Sequence, residues 1–251
     1  DDPRLEPAPD YIDAAALDAA IRRLQARHEL AVDGVVGKDT IGKLRYASAA
    51  RIALIKANME RWRWMPHSPD AKYIEVNVPS ASLKAVKNGQ TVLTSAVVIG
   101  HRAAKTPILA TGVRSVVLNP VWPVPASIVS SEIYPKLLAN PAYLQERNMI
   151  LANGPSDDLQ GLKMNWRTVR RYPFPYVVEQ LPGENNVLGE YLLDMPNRFD
   201  TYLHDTPSKE LFEQTTRFFS HGCVRVDKIA ELAAFVVMGD PDTDIPQRAS
   251  L

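Results

Sequence analysis

The sequence predicts an α+β protein in which a small α-helical module precedes a mainly β domain with an inserted helical segment. Up to residue 64 the apolar residues recur every three or four positions, and after residue 70 they recur at every second position. The 20 prolines among 251 residues, against 12 glycines, also favour extended segments and long loops. We therefore divide the chain into a linker at residues 1–10, a helical module at 11–65 and a main domain at 66–251.

Three short helices are predicted in the helical module. Leu17, Ile21 and Leu24 lie on one face of a helix between residues 13 and 30, and a glycine turn follows at residues 33–37. The same spacing predicts helices at residues 38–46 and at residues 49–64. Trp62 and Trp64 of the third helix are expected to pack in a core or between domains. Prolines at positions 66 and 69 end the helical pattern.

The main domain begins with alternating strands. Residues 73–78, 82–86 and 91–99 fit strands, and Asn88-Gly89 between the last two predicts a hairpin turn. Further strands are predicted at 113–118, 189–193 and 199–204, and an apolar helix at 229–237. Residues 126–182 are expected to form an insertion, helical at 127–148 and irregular afterwards, that acts as a lid over the site. We call this insertion the capping segment.

Composition excludes several classes of function. The 29 basic and 29 acidic residues give a formal net charge of zero, so no electrostatic surface for nucleic acid or an anionic membrane is expected. No apolar run approaches the roughly 18 residues of a transmembrane helix. The first nine residues lack a basic segment and an apolar core, so no signal peptide is expected there. The single cysteine excludes an internal disulfide and leaves the compartment open.

That single cysteine lies in the most informative stretch of the chain, Ser220-His221-Gly222-Cys223-Val224-Arg225. A free cysteine is commonly a small buried hydrophobe, but these neighbours suit chemistry. Gly222 lets the backbone turn sharply, and consecutive N–H groups beside it can bind an oxyanion. His221 and Arg225 are expected to favour the reactive thiolate form. Cys223 is therefore the candidate nucleophile.

A second histidine, His204, ends a strand-like run upstream of the cysteine. If the intervening chain returns Cys223 to the side of this strand, the imidazole can take the thiol proton and the thiolate can attack a carbonyl. Asp205 is the candidate for orienting the ring, through its carboxylate or its backbone carbonyl. Tyr202 shares the strand face of His204 because side chains alternate along a strand, so it is expected to line the site.

Five residues are candidates for substrate binding: Tyr202, Ser220, Arg225, Trp122 and Asn186. Each has a structural alternative as well. Arg225 can bind a carboxylate or brace the loop, Ser220 is a typical turn hydroxyl, and tryptophan is more often buried. Turn chemistry alone also explains Asn186.

Zinc is an alternative to nucleophilic chemistry, because several of these residues are possible ligands: His204, Asp205, His221 and Cys223. Structural zinc sites commonly separate their paired ligands by two to four residues and use further cysteines, and this sequence has neither feature. We therefore expect no metal.

From Tyr202 to Val226 the chain resembles the L,D-transpeptidases, cysteine enzymes with a YkuD-type β-sandwich catalytic domain that cross-link bacterial peptidoglycan. The family signature of a histidine, a spacer and then Ser/Thr-His-Gly-Cys with an apolar residue and arginine matches at His204 and residues 220–225. Asp227 stands near the position where the family often has asparagine. Residues 58–66 and 118–125 resemble the larger Gram-negative members, which carry an inserted capping subdomain, and residues 24–40 resemble a peptidoglycan-binding helical module.

The resemblance implies a role for each residue of the site. Cys223 would be the nucleophile and His204 its base, the backbone carbonyl of Asp205 would orient the imidazole, and His221, Gly222 and Cys223 would form the oxyanion environment. The implied donor is a tetrapeptide stem whose third residue is meso-diaminopimelate. Attack at its carbonyl would release D-alanine, and the side-chain amine of another stem would resolve the thioester in a 3→3 cross-link.

The resemblance also implies partners and a location. These are peptidoglycan stem peptides as substrates, carbapenems as covalent inhibitors, no cofactor, and a periplasmic site reached after removal of a signal peptide. Two alternatives remain open. In the first, the same acyl-enzyme transfers its acyl group to water, to glycine or another amino acid, or to a lipoprotein lysine. In the second, the chain is a non-catalytic protein that binds peptidoglycan.

Overall fold

The computed structural model describes residues 13–28, 30–45, 48–64, 70–239 and 241. The predicted linker at residues 1–10 and the prolines at 66 and 69 lie outside them. The chain divides into two compact units, Asp1–Pro69 and Asp70–Leu251. Among the described residues, no helix combines the length and the apolar character that crossing a bilayer requires.

The described part of the first unit is helical, as the apolar spacing predicts. Its helices are α1 (Ala14–Arg27), α2 (Lys38–Leu44) and α3 (Ser48–Trp64). Gln25 of α1 is buried and fixes the turn after this helix, because its side chain donates to Asp33 Oδ1 at 2.8 Å and accepts from Gly34 N at 2.9 Å. Gly34 has a φ of +75°, and a Cβ there would collide with the carboxylate of Asp18. The turn therefore requires glycine.

Helix α3 differs from its expectation. Trp62 and Trp64 are 67% and 75% exposed, so packing in a core is wrong, and packing between domains stays a prediction. The periodicity of this segment correctly predicts its helix but not the burial of one face.

The second unit is mainly β. In chain order its strands are β1 (Lys72–Asn77), β2 (Ser82–Lys87), β3 (Gln90–Gly100), β4 (Ser115–Leu118), β5 (Trp122–Pro123), β6 (Met149–Leu151), β7 (Val178–Gln180), β8 (Tyr191–Asp194), β9 (Leu203–His204), β10 (Phe218–Ser220) and β11 (Val224–Val226). Eight of them form a mixed sheet in the order β1-β2-β3-β11-β9-β8-β4, with β10 paired to β3. The other three form a small sheet in the order β5-β7-β6. The α+β prediction with a mainly β domain is confirmed.

The hairpin between β2 and β3 forms where the sequence predicts it. Asn88 and Gly89 at its tip have φ values of 51° and 77°, the left-handed pair that a tight hairpin turn requires. The three consecutive antiparallel strands β1, β2 and β3 bring a long, buried β3 to the middle of the sheet, where it pairs with both strands that flank the cysteine.

One face of the large sheet carries the main core. Helix α7 (Ile229–Met238) packs over it and contributes Leu232 and Phe235, both almost fully buried. Leu203 of β9 and Val224 of β11 belong to the same core. This packing fixes which face of β9 and β11 looks inward, and therefore which face is left for the functional side chains.

The capping segment folds around a second, separate core. Trp122, Leu137, Leu144 and Trp166 are among its buried members. The segment begins with three consecutive helical pieces, α4 (Ala126–Ile128), a π-helical turn (Val129–Ile133) and α5 (Tyr134–Ala139), and α6 (Tyr143–Glu146) follows after a break. Because it has its own core and a strand pair, it is a subdomain and not an open loop.

Residues 127–148 are largely helical as expected, with a break at Asn140 between α5 and α6. Asn140 leaves the helical conformation, with φ of −141° and ψ of 102°, as expected for a residue that precedes a proline, here Pro141. The side chain of Asn140 then accepts a hydrogen bond from Ala142 N at 3.0 Å and leads the chain into α6.

Candidate active site

The cysteine lies in a tight loop between β10 and β11, residues 220–223, which we call the cysteine loop. Ser220 is buried, and its hydroxyl accepts from Gly222 N at 3.2 Å and donates to the backbone carbonyl of Cys223 at 2.5 Å. Both bonds hold the loop, so the structure favours the turn-hydroxyl interpretation of Ser220. Gly222 has a φ of +123°, a conformation that side chains other than glycine rarely adopt.

A neighbouring loop holds the cysteine loop from outside. Thr106 Oγ1 donates to the backbone carbonyl of Gly222 at 2.9 Å and accepts from Gly100 N at 2.9 Å. A Cβ on Gly100 would come within 2.1 Å of the backbone oxygen of Ala104, so the close approach of this loop depends on glycine. Thr106 therefore ties the carbonyl of Gly222 to the end of β3.

The register of two parallel strands sets the composition of the site. Strands β9 and β11 pair Leu203 with Val224 and His204 with Arg225. Leu203 and Val224 point into the main core, and because side chains alternate, their sequence neighbours point to the other face. Four residues share that face: Tyr202, His204, Cys223 and Arg225. The expectation that the chain returns Cys223 to the side of the His204 strand is confirmed.

The thiol of Cys223 is half-buried and is protonated at rest. Burial raises its pKa; Tyr202 and Arg225 lower it in part, and Asp200 adds to the rise. The Sγ donates to the backbone carbonyl of Asp200 at 3.7 Å, a bond that needs the protonated thiol. Of the two neighbours expected to favour the thiolate, Arg225 does lower the pKa of Cys223, but burial outweighs its effect. A base must remove the proton before the sulfur can attack.

His204 shares the sheet face of Cys223 and is the candidate for that base. Its side chain is 3% exposed, and burial, followed by the charge of Arg225, lowers its pKa to about 4. Backbone carbonyls of Asp205 and Leu188 act in the opposite direction. The ring is thus neutral at pH 7. Its buried Nδ1 makes no hydrogen bond within the described residues. These carbonyls therefore lie near the ring but do not accept a hydrogen bond from Nδ1.

The carboxylate of Asp205 is engaged away from the histidine ring. It accepts from Glu190 N at 3.0 Å and forms an ion pair with Lys209 at 2.5 Å. It also packs against Gly189, where a Cβ would come within 2.4 Å of its oxygen. Of the two ways in which Asp205 was expected to orient His204, only the backbone carbonyl remains available.

Tyr202 contacts the His204 ring, as the alternation along its strand predicts. Its ring meets the His204 ring edge to face, with 5.8 Å between the centroids. Burial and the neighbouring Cys223 raise the pKa of its phenol, so the hydroxyl is neutral. Trp122 is buried in the core of the capping segment and lies beside this hydroxyl. Trp122 therefore packs against Tyr202 and offers no exposed surface for binding a substrate.

His221 points outward from the cysteine loop. Its Nε2 lies 2.8 Å from Glu132 Oε1 of the capping segment, and its ring meets His101 edge to face at 5.4 Å. The capping segment and the cysteine loop are therefore in direct polar contact. Any contribution of His221 to an oxyanion site must come from its backbone N–H, because its ring is engaged with Glu132.

Two predicted binding residues lie below the surface. Arg225 is half-buried, its Nε has no partner within the described residues, and burial lowers its pKa while Cys223 and Glu210 raise it. Its charge acts on the thiol, and neither the binding of a carboxylate nor the bracing of the loop is favoured. Asn186 is 1% exposed and bonds to the backbone of Pro120, Leu181 and Leu188.

The binding interpretation of Asn186 is therefore wrong, because its polar atoms are used within the fold. The zinc alternative is also unsupported. No group of three or more histidine, cysteine or acidic side chains in the described part of the chain could hold a metal ion.

Sequence reasoning missed three residues that the structure brings to the site: Thr106, Glu132 and Asp200. The first two reach it over long sequence separations, for which period and spacing give no signal. The Thr-Pro pair at residues 106–107 indicates a turn, but it does not indicate that Thr106 contacts Gly222. Asp200 lies within the predicted strand 199–204, but the observed β9 covers only Leu203–His204 and leaves Asp200 in the turn before it. Its closeness in sequence to Tyr202 and His204 is the available signal.

The fold and the site together define an α+β protein with a thiol and a buried neutral imidazole on one face of a mixed sheet. Comparison with known families places it further. The family described as "L,D-transpeptidase catalytic domain" (YkuD) matches residues 71–243, and "Putative peptidoglycan binding domain" matches residues 4–44. The chain therefore belongs to the L,D-transpeptidase catalytic domain family.

A curated relative agrees with this assignment. A protein of Haemophilus influenzae described as "Putative L,D-transpeptidase" is 33% identical over 180 residues, which cover 72% of this chain. The match spans 36% of that relative's own length. Among solved structures, one titled "Structure of the Ldtfm-avibactam carbamoyl enzyme" matches with a TM-score of 0.34 and 14% identity, over 62% of this chain and 41% of the other.

Proposed function

We propose that this protein is a cysteine L,D-transpeptidase that forms 3→3 cross-links in peptidoglycan through a thioester on Cys223. The observation that supports this most directly is the shared sheet face of Tyr202, His204, Cys223 and Arg225 in a chain of the L,D-transpeptidase family. The half-buried thiol supplies a nucleophile, and the buried imidazole supplies a base that is neutral and so able to accept a proton.

Acylation would begin from the neutral pair. His204 takes the proton of the Cys223 thiol, and the sulfur attacks the carbonyl carbon of the third stem residue, forming the C–S bond. The oxyanion that develops would be bound by backbone N–H groups of the cysteine loop. Collapse breaks the C–N bond, the imidazolium of His204 protonates the leaving amine, and D-alanine departs.

Transfer would reverse the proton path. The amine of a second stem attacks the thioester carbon, His204 takes a proton from the attacking nitrogen, and the C–S bond breaks. The sulfur of Cys223 leaves with that proton returned to it from His204, which restores the neutral pair. A neutral base in a buried setting suits both steps, since it must accept and release one proton in each.

The first unit and the compartment belong to the same proposal. A helical module that matches a peptidoglycan-binding family would hold the enzyme on its substrate and raise the local concentration of stems. Because peptidoglycan lies outside the cytoplasmic membrane, we propose that the protein acts in the periplasm. Fractionation of cells that produce it would test this, with recovery in the cytosol as the contrary result.

Intact-mass analysis tests the acyl-enzyme. The protein is incubated with a carbapenem and, separately, with a disaccharide-tetrapeptide, and we expect one covalent adduct that maps to Cys223. Cys223→Ala should form none, and Cys223→Ala should still bind sacculi if the helical module is an anchor. An unmodified wild-type mass, with the thiol shown to be free by alkylation after unfolding, would refute the proposal.

Product analysis then identifies the acceptor. With defined tetrapeptide stems we expect a 3→3 dimer and free D-alanine in equal amounts. A tripeptide product would instead indicate transfer to water, and an exchanged terminal residue would indicate transfer to an amino acid. Both would keep the acyl-enzyme and overturn the cross-linking activity.

A further inference from the structure

Asp200 occupies an unusual position next to the nucleophile. Its backbone carbonyl accepts from Cys223 Sγ at 3.7 Å, while its own side chain is exposed. It has a φ of +50°, in the left-handed region that aspartate tolerates but seldom adopts. An exposed acid held in a costly conformation beside a reactive group is the kind of arrangement that persists where it has a use.

The loop that carries Asp200 is fixed by a single side chain. Asn197 donates to the backbone carbonyls of Met195 and Thr201, each at 2.7 Å, and accepts from Phe199 N at 3.0 Å and Thr201 N at 3.3 Å. Four bonds from one amide leave the backbone between Asn197 and Thr201 little freedom. The position of the Asp200 backbone relative to the cysteine loop is therefore set by the fold.

The charge of Asp200 is not neutralised by the protein. It forms no ion pair with any described basic residue, whereas Asp205, another acid near the site, pairs with Lys209. The charge is felt at the thiol, because Asp200 raises the pKa of both Cys223 and Tyr202. An unpaired negative charge beside a nucleophile hinders formation of the thiolate, so it opposes the acylation step.

The negative charge of Asp200 assists the second step of the proposed reaction, in which the acyl group passes to the acceptor. The acceptor is a primary amine, which at neutral pH is an ammonium ion. Water, the competing acceptor, is neutral. A carboxylate beside the thioester attracts the ammonium and so discriminates against water.

We propose that Asp200 binds the ammonium group of the acceptor stem and thereby directs the acyl group from Cys223 to an amine. The role is one of specificity and rests on the proposed transpeptidase function. The bound ammonium releases one proton to solvent, and the free amine attacks the thioester carbon. The C–N bond forms, the C–S bond breaks, and the second nitrogen proton returns through His204 to the sulfur.

The test separates acylation from transfer. Asp200→Asn removes the charge, keeps nearly the same shape and tolerates the left-handed backbone, so the loop should stay folded, as thermal unfolding will check. Asp227→Asn, an exposed aspartate after β11, is the matched control for loss of one negative charge. Each protein is acylated with a tetrapeptide donor and then offered an amine acceptor stem, and the dimer and the hydrolysed tripeptide are quantified.

We expect Asp200→Asn to lower the ratio of dimer to tripeptide about tenfold, with donor acylation equal to or faster than wild type. Raising the ionic strength should lower the wild-type ratio toward that of the variant and leave the variant unchanged, because a charge attraction is screened. The Asp227→Asn protein should behave as wild type in both measurements.

Three outcomes would overturn the role of Asp200. An unchanged ratio in Asp200→Asn is the first, and a wild-type ratio that does not respond to salt is the second. Slower donor acylation with an unchanged ratio is the third, since the carboxylate would then bind the donor. If the wild-type protein forms no acyl-enzyme at all, the proposed function fails as well, and that result differs from all three.

Discussion

The hydroxyl of Thr106 donates a hydrogen bond of 2.9 Å to the backbone carbonyl of Gly222, across 116 residues of sequence. The same oxygen accepts from Gly100 N at the end of β3. One side chain therefore connects the cysteine loop to the central strand of the sheet. The direction of the Gly222 carbonyl also fixes the direction of the next peptide N–H, which belongs to Cys223 and is a candidate oxyanion donor.

We predict that Thr106→Val slows acylation of Cys223 about fivefold, since one hydrogen bond of roughly 1 kcal/mol no longer holds the loop. Thr106→Ser keeps the hydroxyl and should restore most of the rate. Stopped-flow measurement of carbapenem acylation gives the rates. Alkylation of the thiol by a small reagent should change little, because it needs no oxyanion site. Equal slowing of alkylation and acylation would mean that the thiol itself had moved.

Gly222 provides a second test of the same loop. Its φ of +123° is strained for an alanine, although a Cβ would meet only ordinary contact, 3.8 Å from the backbone oxygen of Lys105. We expect Gly222→Ala to lower the free energy of unfolding by about 1–3 kcal/mol and to reduce acylation more than tenfold, as the backbone relaxes away from the oxyanion geometry.

Gly112→Ala is the matched control for that change. Gly112 is not in the left-handed region, and nothing lies within 4 Å of the position that its Cβ would occupy. Thermal unfolding and carbapenem acylation of this variant should equal those of wild type. A Gly222→Ala protein with wild-type acylation would show that the loop conformation is not needed for chemistry.

The sequence predicts those features of the fold and the site that depend on residues close together in the chain. The hairpin at Asn88-Gly89 is correctly predicted, because the left-handed pair is a local requirement of the turn. Tyr202 and His204 are correctly placed on one face, since alternation is a property of any strand. The pairing of β9 with β11 needed a further assumption about the chain return, and the family signature supplied it.

Other features depend on contacts that no local pattern contains. The small sheet β5-β7-β6 joins strands of two or three residues from distant parts of the chain, too short to show a period. The protonated state of Cys223 was not predicted, because burial outweighs the charge of Arg225, and burial of a single residue in a loop cannot be inferred from its neighbours in sequence.

The contact between Glu132 and His221 is the direct polar link from the capping segment to the cysteine loop. Deleting a large part of the segment is not a clean test of a lid, because Leu144, Leu151 and Trp166 belong to its core. Glu132→Ala removes the contact alone. Both side chains are nearly half exposed, so the pair contributes at most about 1 kcal/mol.

We therefore predict that Glu132→Ala raises the KM for a tetrapeptide donor about threefold, with kcat and thiol alkylation unchanged. Asp157→Ala breaks another ion pair of the capping segment, with Lys163, that is more exposed, and it should leave KM unchanged. Steady-state release of D-alanine measures both constants. An equal fall in kcat and in alkylation would place the effect on the nucleophile and not on donor binding.

The buried base predicts how stability depends on pH. His204 has a pKa of about 4 in the folded protein and the ordinary value near 6.5 in the unfolded chain. Between these values the unfolded chain binds a proton that the folded protein does not, so the free energy of unfolding falls as the pH drops from about 6.5 toward 4. The loss is on the order of 3 kcal/mol and is complete once the pH lies below about 4.

Urea unfolding of the full chain between pH 7 and pH 4 measures this loss in the transition of the main domain. We expect His204→Gln to remove most of the decrease within that window, because the variant has no titrating group at this position. His101→Gln leaves His204 in place and should keep the decrease. If the His204→Gln protein loses stability as steeply as wild type, the buried imidazole is not the group that titrates, and its neutral state at pH 7 would need another explanation.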